Sequence, residues 1–86
     1  MNKRKDFIMT IKLQTADDVR KFVNLVASYD APIECWEING HRGVNANSVM
    51  YLFTLDFTRR LGIRIHTQDT ELENEFYKKL ERYEVK

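Results

Sequence analysis

One cysteine, Cys35, stands in this chain of 86 residues, so no disulfide can close within it. Two histidines beside that cysteine are too few for a structural zinc site, and no metal or cofactor is expected. Charge of one sign is lacking as well. Lys and Arg number 14 against 13 Asp and Glu, a net charge of +1, where a dedicated nucleic-acid binder carries a strong basic excess. No apolar run approaches the ~20 residues of a membrane span. Asp6, Thr10, Lys12 and Gln14 break up the residues after Met1–Lys5, so no apolar stretch of a secretory signal forms. With one proline and three glycines there is no linker, repeat or low-complexity tract. What is present is a 43% hydrophobic chain. That suits one domain over 1–86 with a flexible basic lead-in at 1–5, burying roughly 60–65% of its unfolded surface. A cytoplasmic location is expected.

The hydrophobic pattern changes period along the chain. Phe7–Leu13 alternates, with Phe7, Met9, Ile11 and Leu13 on one side, which predicts a half-buried strand. Val19, Phe22, Val23 and Val26 then recur at helical spacing. Thr15 with Asp18 three residues on forms a capping-box pattern, and the helix should end near Ser28–Asp30, before Pro32. Ile33–Ile38 and His41–Ala46 flank Asn39-Gly40, the pair favoured in a type I′ hairpin turn. That register sets Cys35 opposite Val44, Ile33 opposite Ala46 and Glu37 opposite Arg42, and leaves Trp36 facing only Gly43. A short helix over Ser48–Leu55 should seat Leu52 and Leu55. A strand over Gly62–Thr67 turns Ile63 and Ile65 inward and Arg64 and His66 outward. A last helix over Asp69–Arg82 buries Leu72, Phe76 and Leu80, with Glu71, Glu73 and Glu75 early and Lys78 and Lys79 late, as the helix dipole favours. The order β-α-β-β-α-β-α implies an α+β fold, a two-layer sandwich.

This order, together with Val44-Asn-Ala-Asn-Ser48-Val-Met-Tyr-Leu-Phe-Thr-Leu55, resembles HPr, the histidine-containing phosphocarrier family of the bacterial phosphotransferase sugar-uptake system. The resemblance runs from about Phe7 to Glu84. It implies an open-faced sandwich: a four-stranded antiparallel sheet in order 1-4-2-3 with three helices on one face. In the family a histidine before the first helix accepts phosphate and an arginine steadies it. Aligned on Phe22-Val23, Thr15 falls at the histidine, Asp17 at the arginine and Asp18 at the following proline. A slip of one residue brings Gln14 to the key position, and no histidine becomes available. A helix N-terminus attracts phosphate through free N–H groups and a partial positive charge. Here Thr15 can occupy those groups, two carboxylates repel an anion, and Thr15 has no neighbouring general base.

The remaining candidates are weighed against structural roles. Ser48 falls at the family's regulatory phosphorylation site in many Gram-positive members, and it is equally placed to cap the short helix. Asn47 precedes it where the family usually has lysine. Val49, Met50 and Phe53 widen the apolar surface of that helix, and the resemblance implies a patch that docks partner proteins; Val49 or Phe53 could instead fold under into the core. Trp36 and Ile38 offer a second contact surface unless the Arg64 and Lys12 stems cover them. His41, His66 and Arg59-Arg60 read as surface residues, and Cys35 as an inert core thiol.

The expectation is an HPr-like protein without the phosphoacceptor histidine. It would not be an enzyme, and it would work through protein–protein contacts in carbon catabolite regulation. Its implied partners are phosphotransferase-system enzymes, a serine kinase or a transcription regulator, with no direct contact to nucleic acid or membrane. Two other readings stay open: a phosphocarrier with a non-standard acceptor, and a small-ligand regulatory module of ferredoxin-like or ACT type. Strand order separates the last from the first, since a ferredoxin-like sheet runs 4-1-3-2.

Overall fold

In the computed structural model, residues 8–40 and 43–85 are described. The lead-in at 1–5 and the side chains of Phe7, His41 and Arg42 lie outside them, and so does the expected pairing of Glu37 with Arg42. Four strands, β1 (Met9–Ile11), β2 (Ile33–Glu37), β3 (Gly43–Asn45) and β4 (Leu61–Ile65), form an antiparallel sheet in the order β1-β4-β2-β3. That order matches the 1-4-2-3 expectation and excludes the ferredoxin-like arrangement. The helices are α1 (Ala16–Ala27), α2 (Val49–Leu52) and α3 (Thr70–Leu80), the last running into a 3₁₀ turn at Glu81–Tyr83.

The period-2 and period-3.6 patterns meet in one core. Met9, Ile11, Ile33, Cys35, Leu61, Ile63 and Ile65 bury one sheet face against Phe22, Val23 and Val26 of α1, Leu52 of α2, and Phe76, Tyr77 and Leu80 of α3. Register keeps this face in line, because Ile63 pairs with Met9 on one side and with Cys35 on the other. Cys35 faces Val44 as expected, and the Ala46 N–H donates to the Ile33 carbonyl at 2.8 Å.

Several boundaries differ from the sequence reading, each for a local reason. The hairpin turn is not type I′ over Asn39-Gly40. Asn39 has φ of 73°, but Gly40 has no positive φ, and a type I′ turn needs both. The turn lies one residue earlier, where the Gly40 N–H donates to the Glu37 carbonyl at 2.8 Å and Asn39 takes the positive-φ place of a type II turn. Ile38 is drawn away from the hairpin because its N–H donates to the Arg60 carbonyl at 2.9 Å. The strand β4 starts at Leu61 and stops before Thr67, whose hydroxyl accepts the Asp69 N–H at 3.1 Å and begins the turn into α3. The helix α2 spans a single turn rather than Ser48–Leu55, since the Thr54 hydroxyl donates back to the Tyr51 carbonyl at 2.6 Å and i→i+3 bonds take over.

The first strand is shorter than Phe7–Leu13, yet its outer edge is covered. Lys12 N–H donates to the Tyr83 carbonyl at 2.9 Å, Val85 N–H donates to the Thr10 carbonyl at 3.0 Å, and Ile11 bridges to Glu84. The chain after α3 thus pairs with β1 and removes a bare sheet edge.

Candidate functional site

The residues singled out in the sequence gather at the N-terminus of α1 and along α2. Thr15 caps α1 as expected, its hydroxyl accepting the Asp18 N–H at 3.0 Å. In place of the N-cap N–H of a full capping box, the Asp18 carboxylate accepts the N–H of Gln14, one residue further back, at 3.0 Å. Asp17 pairs with Arg20 and Lys21 on the next turn. Hydrogen bonds from Lys21 and then Arg20 hold its carboxyl below the usual carboxylate range, so it is ionised at neutral pH. The first turn of α1 therefore presents acidic groups and spends part of its N–H capacity on its own side chains.

At α2 the geometry separates Ser48 from its expected capping role. Ser48 holds the extended N-cap backbone and its carbonyl accepts the Leu52 N–H at 2.9 Å, but its side chain makes no cap hydrogen bond. Leu52 is buried and Leu55 half-buried. Val49, Met50, Tyr51 and Phe53 stand out in solvent at 43%, 83%, 61% and 56% exposure, so neither Val49 nor Phe53 folds under into the core. Phe53 meets Phe57 edge to face at 5.6 Å between ring centres. It also closes one end of a largely apolar groove of about 400 Å³ against Ala16, Val19, Arg20, Val23 and Asn24 of α1. Monomeric proteins seldom leave so many large apolar side chains contiguous unless something covers them.

Asn47 is the residue the sequence reading passed over, noted there only for what it replaces. Its side-chain oxygen accepts the Ile33 N–H at 2.8 Å, and its amide nitrogen faces the carbonyls of Val26, Tyr29 and Ala31 at 3.4, 3.2 and 3.3 Å. The buried tyrosines were missed too. Tyr77 uses its hydroxyl to accept the Ile65 N–H at 3.0 Å at the end of β4.

The other candidates lie apart from this surface. Trp36 is half-buried on the outer sheet face with its indole across Gly62, so close that a Cβ there would meet the ring at 2.4 Å. His66 is exposed beside Glu34 (3.3 Å), which also lies 3.6 Å from Arg64. Arg59 pairs with Asp56 at 3.4 Å. Cys35 is buried, and burial pushes its thiol up to about 12, far from the range of a nucleophile. Among the described residues, no cluster of three or more His, Cys, Asp or Glu could hold a metal ion, and no helix is long and apolar enough to cross a membrane.

Neither a family model nor a curated protein matches the sequence. Among solved structures, the chain is similar to HPr-C-His from Thermoanaerobacter tengcongensis at 22% identity and a TM-score of 0.65, over 86% of this chain and 85% of that one. It is similar to the phosphocarrier protein HPr from Bacillus anthracis strain Ames at 17% identity and a TM-score of 0.65, over 92% of this chain and 96% of that one. The fold is that of HPr. At these identities the likeness is one of architecture, and the HPr frame here carries Thr15, Asp17 and Asp18 at the start of α1 and an exposed apolar α2 beside it.

Proposed function

We propose that this chain is an HPr-like protein, related to the phosphotransferase sugar-uptake system, that acts by docking onto protein partners and carries no phosphohistidine. The observation behind this reading is the uncovered apolar surface of α2, Met50 and Phe53 above all, continuous with the groove along α1. The α1 N-terminus supports the second half of the reading. Thr15 and Asp18 already engage backbone N–H groups there, and the ionised Asp17 adds negative charge where an incoming phosphoryl group would need compensation. On this reading the chain is no enzyme, works in the cytoplasm, and meets phosphotransferase-system proteins, a serine kinase or a transcription regulator as its partners.

Ser48 fits a regulatory role because its hydroxyl is not committed to capping α2. A phosphate there would add about −2 charge at the edge of the apolar surface. Incubation with phosphoenolpyruvate and the first enzyme of the system should leave no acid-labile phosphate on the chain; its appearance would sink the reading and favour a non-standard acceptor. An HPr-type serine kinase with ATP should add one phosphate that Ser48→Ala abolishes, and an unmodified wild type would remove Ser48 from the proposal.

A further inference from the structure

We infer that Asn47 is the positioning residue of the α2 surface: its side chain clasps the β3–α2 junction onto the end of α1 and the start of β2. The need for such a clasp follows from α2 itself. A single helical turn of four residues does not stand alone, because nucleation fixes several dihedrals for one hydrogen bond. Its serine supplies no cap bond, and of its own side chains only Leu52 is buried. The apolar residues that would normally seat a helix are instead those facing solvent.

Asn47 supplies what the helix lacks. Its carbonyl oxygen takes the Ile33 N–H at 2.8 Å, the shortest contact of the set. Its two amide hydrogens are shared among the carbonyls of Val26, Tyr29 and Ala31, at 3.2 to 3.4 Å. Val26 lies in the last turn of α1, and its carbonyl takes the Asn47 amide beside the Tyr29 N–H it already accepts at 3.3 Å. One half-buried side chain therefore serves a helix end, a loop and a strand start that are 14 to 21 residues distant in sequence. Its own backbone is fixed in turn, since the Asn47 N–H donates to the Asn45 side-chain oxygen at 2.9 Å. No other side-chain type combines an acceptor with a two-hydrogen donor at this length. Ser48, Met50 and Phe53 follow immediately along the chain, so their placement, and with it the position of Phe53 at the α1 groove, depends on this anchor. The clasp stands independently of the docking reading; only its consequence for partner binding rests on that reading.

Amide hydrogen exchange followed by NMR tests the clasp with no partner present. In Asn47→Ala, the Leu52 and Phe53 amides should exchange at least tenfold faster than in wild type, beyond any change at β1–β4 ladder amides. Neither of those amides touches Asn47, so a merely local loss at Ile33 would not move them. Uniform acceleration over the whole chain, or none at α2, overturns the inference. Should Asn47→Ala fail to fold, the wild type decides. The Asn47 side-chain amide hydrogens should exchange clearly more slowly than those of the exposed Asn24 and Asn74, and equal rates would refute the clasp.

Discussion

Gly62 shows how one residue can be fixed by a neighbour two strands' worth of chain away. It pairs with Thr10 on one side and Trp36 on the other, and the Trp36 indole lies where a side chain at Gly62 would have to go. A methyl group there meets the rigid ring system at 2.4 Å, which no flexible tip can relieve. Gly62→Ala should therefore destabilise the fold by about 1–3 kcal/mol, the usual cost of overpacking. A urea titration checks it, and a double-mutant cycle identifies the cause. In a Trp36→Ala background the same substitution should become neutral or stabilising by up to about 1 kcal/mol, since alanine then only restricts the unfolded chain. If the two substitutions simply add, the ring is not what excludes a side chain at that position.

At the scale of elements, the two helix starts look alike in sequence and differ in structure. Thr15 bonds the Asp18 N–H, whereas Ser48 makes no cap bond. Thr15→Ala should accordingly cost about 1 kcal/mol. Ser48→Ala should stay within about 0.5 kcal/mol of wild type, as a substitution outside any named mechanism does. Equal losses in thermal or urea unfolding would contradict this division. The pair also shows what the sequence could and could not reveal. Periodicity and the Thr15–Asp18 spacing are local, and they located α1 and its buried Phe22, Val23 and Val26. Alternation set the inward faces of the strands, and pairing across Asn39-Gly40 placed Cys35 opposite Val44 even though the turn itself lies one residue earlier. The hairpin turn escaped because Ile38 answers to Arg60, a partner more than twenty residues on, rather than to the local Asn-Gly preference. The cover on β1 by Tyr83–Val85 and the reach of Asn47 escaped for the same reason: each depends on which segments the fold brings together. The apolar surface of Val49, Met50 and Phe53 was legible as an excess over one stripe, but the exposed Tyr51 beside them was not.

For the molecule as a whole, the distribution of shifted groups makes stability asymmetric in pH. On the acid side, Asp17 and Asp56 have lowered carboxyls, held by Lys21 and Arg20 in one case and by Thr58 in the other. Stability from such groups is present above their unfolded values and lost as pH falls through the folded ones. Both sit in solvent, so screening keeps their share small. On the alkaline side the exposed Lys79, raised by its hydrogen bond with Glu75, adds as little, but two other raised groups are inside. Burial raises Cys35 from 9.0 to about 12 and raises Tyr77 above 10.0, which favours the neutral form in the folded state. Each contributes stability that is intact below its unfolded value and is lost as pH climbs through its folded value. The unfolded chain starts to release the Cys35 proton near pH 9, and above that the thiol alone should remove on the order of 1 kcal/mol per pH unit. Urea midpoints taken from pH 7 to 11 should hold nearly level to about 9 and then fall. Cys35→Ala lowers the whole curve by opening a cavity beside Ile63, yet its decline above pH 9 should be distinctly shallower. Parallel declines in the two proteins would mean that the thiol does not govern the alkaline limit, leaving Tyr77 and the strand end it holds as the group to test next.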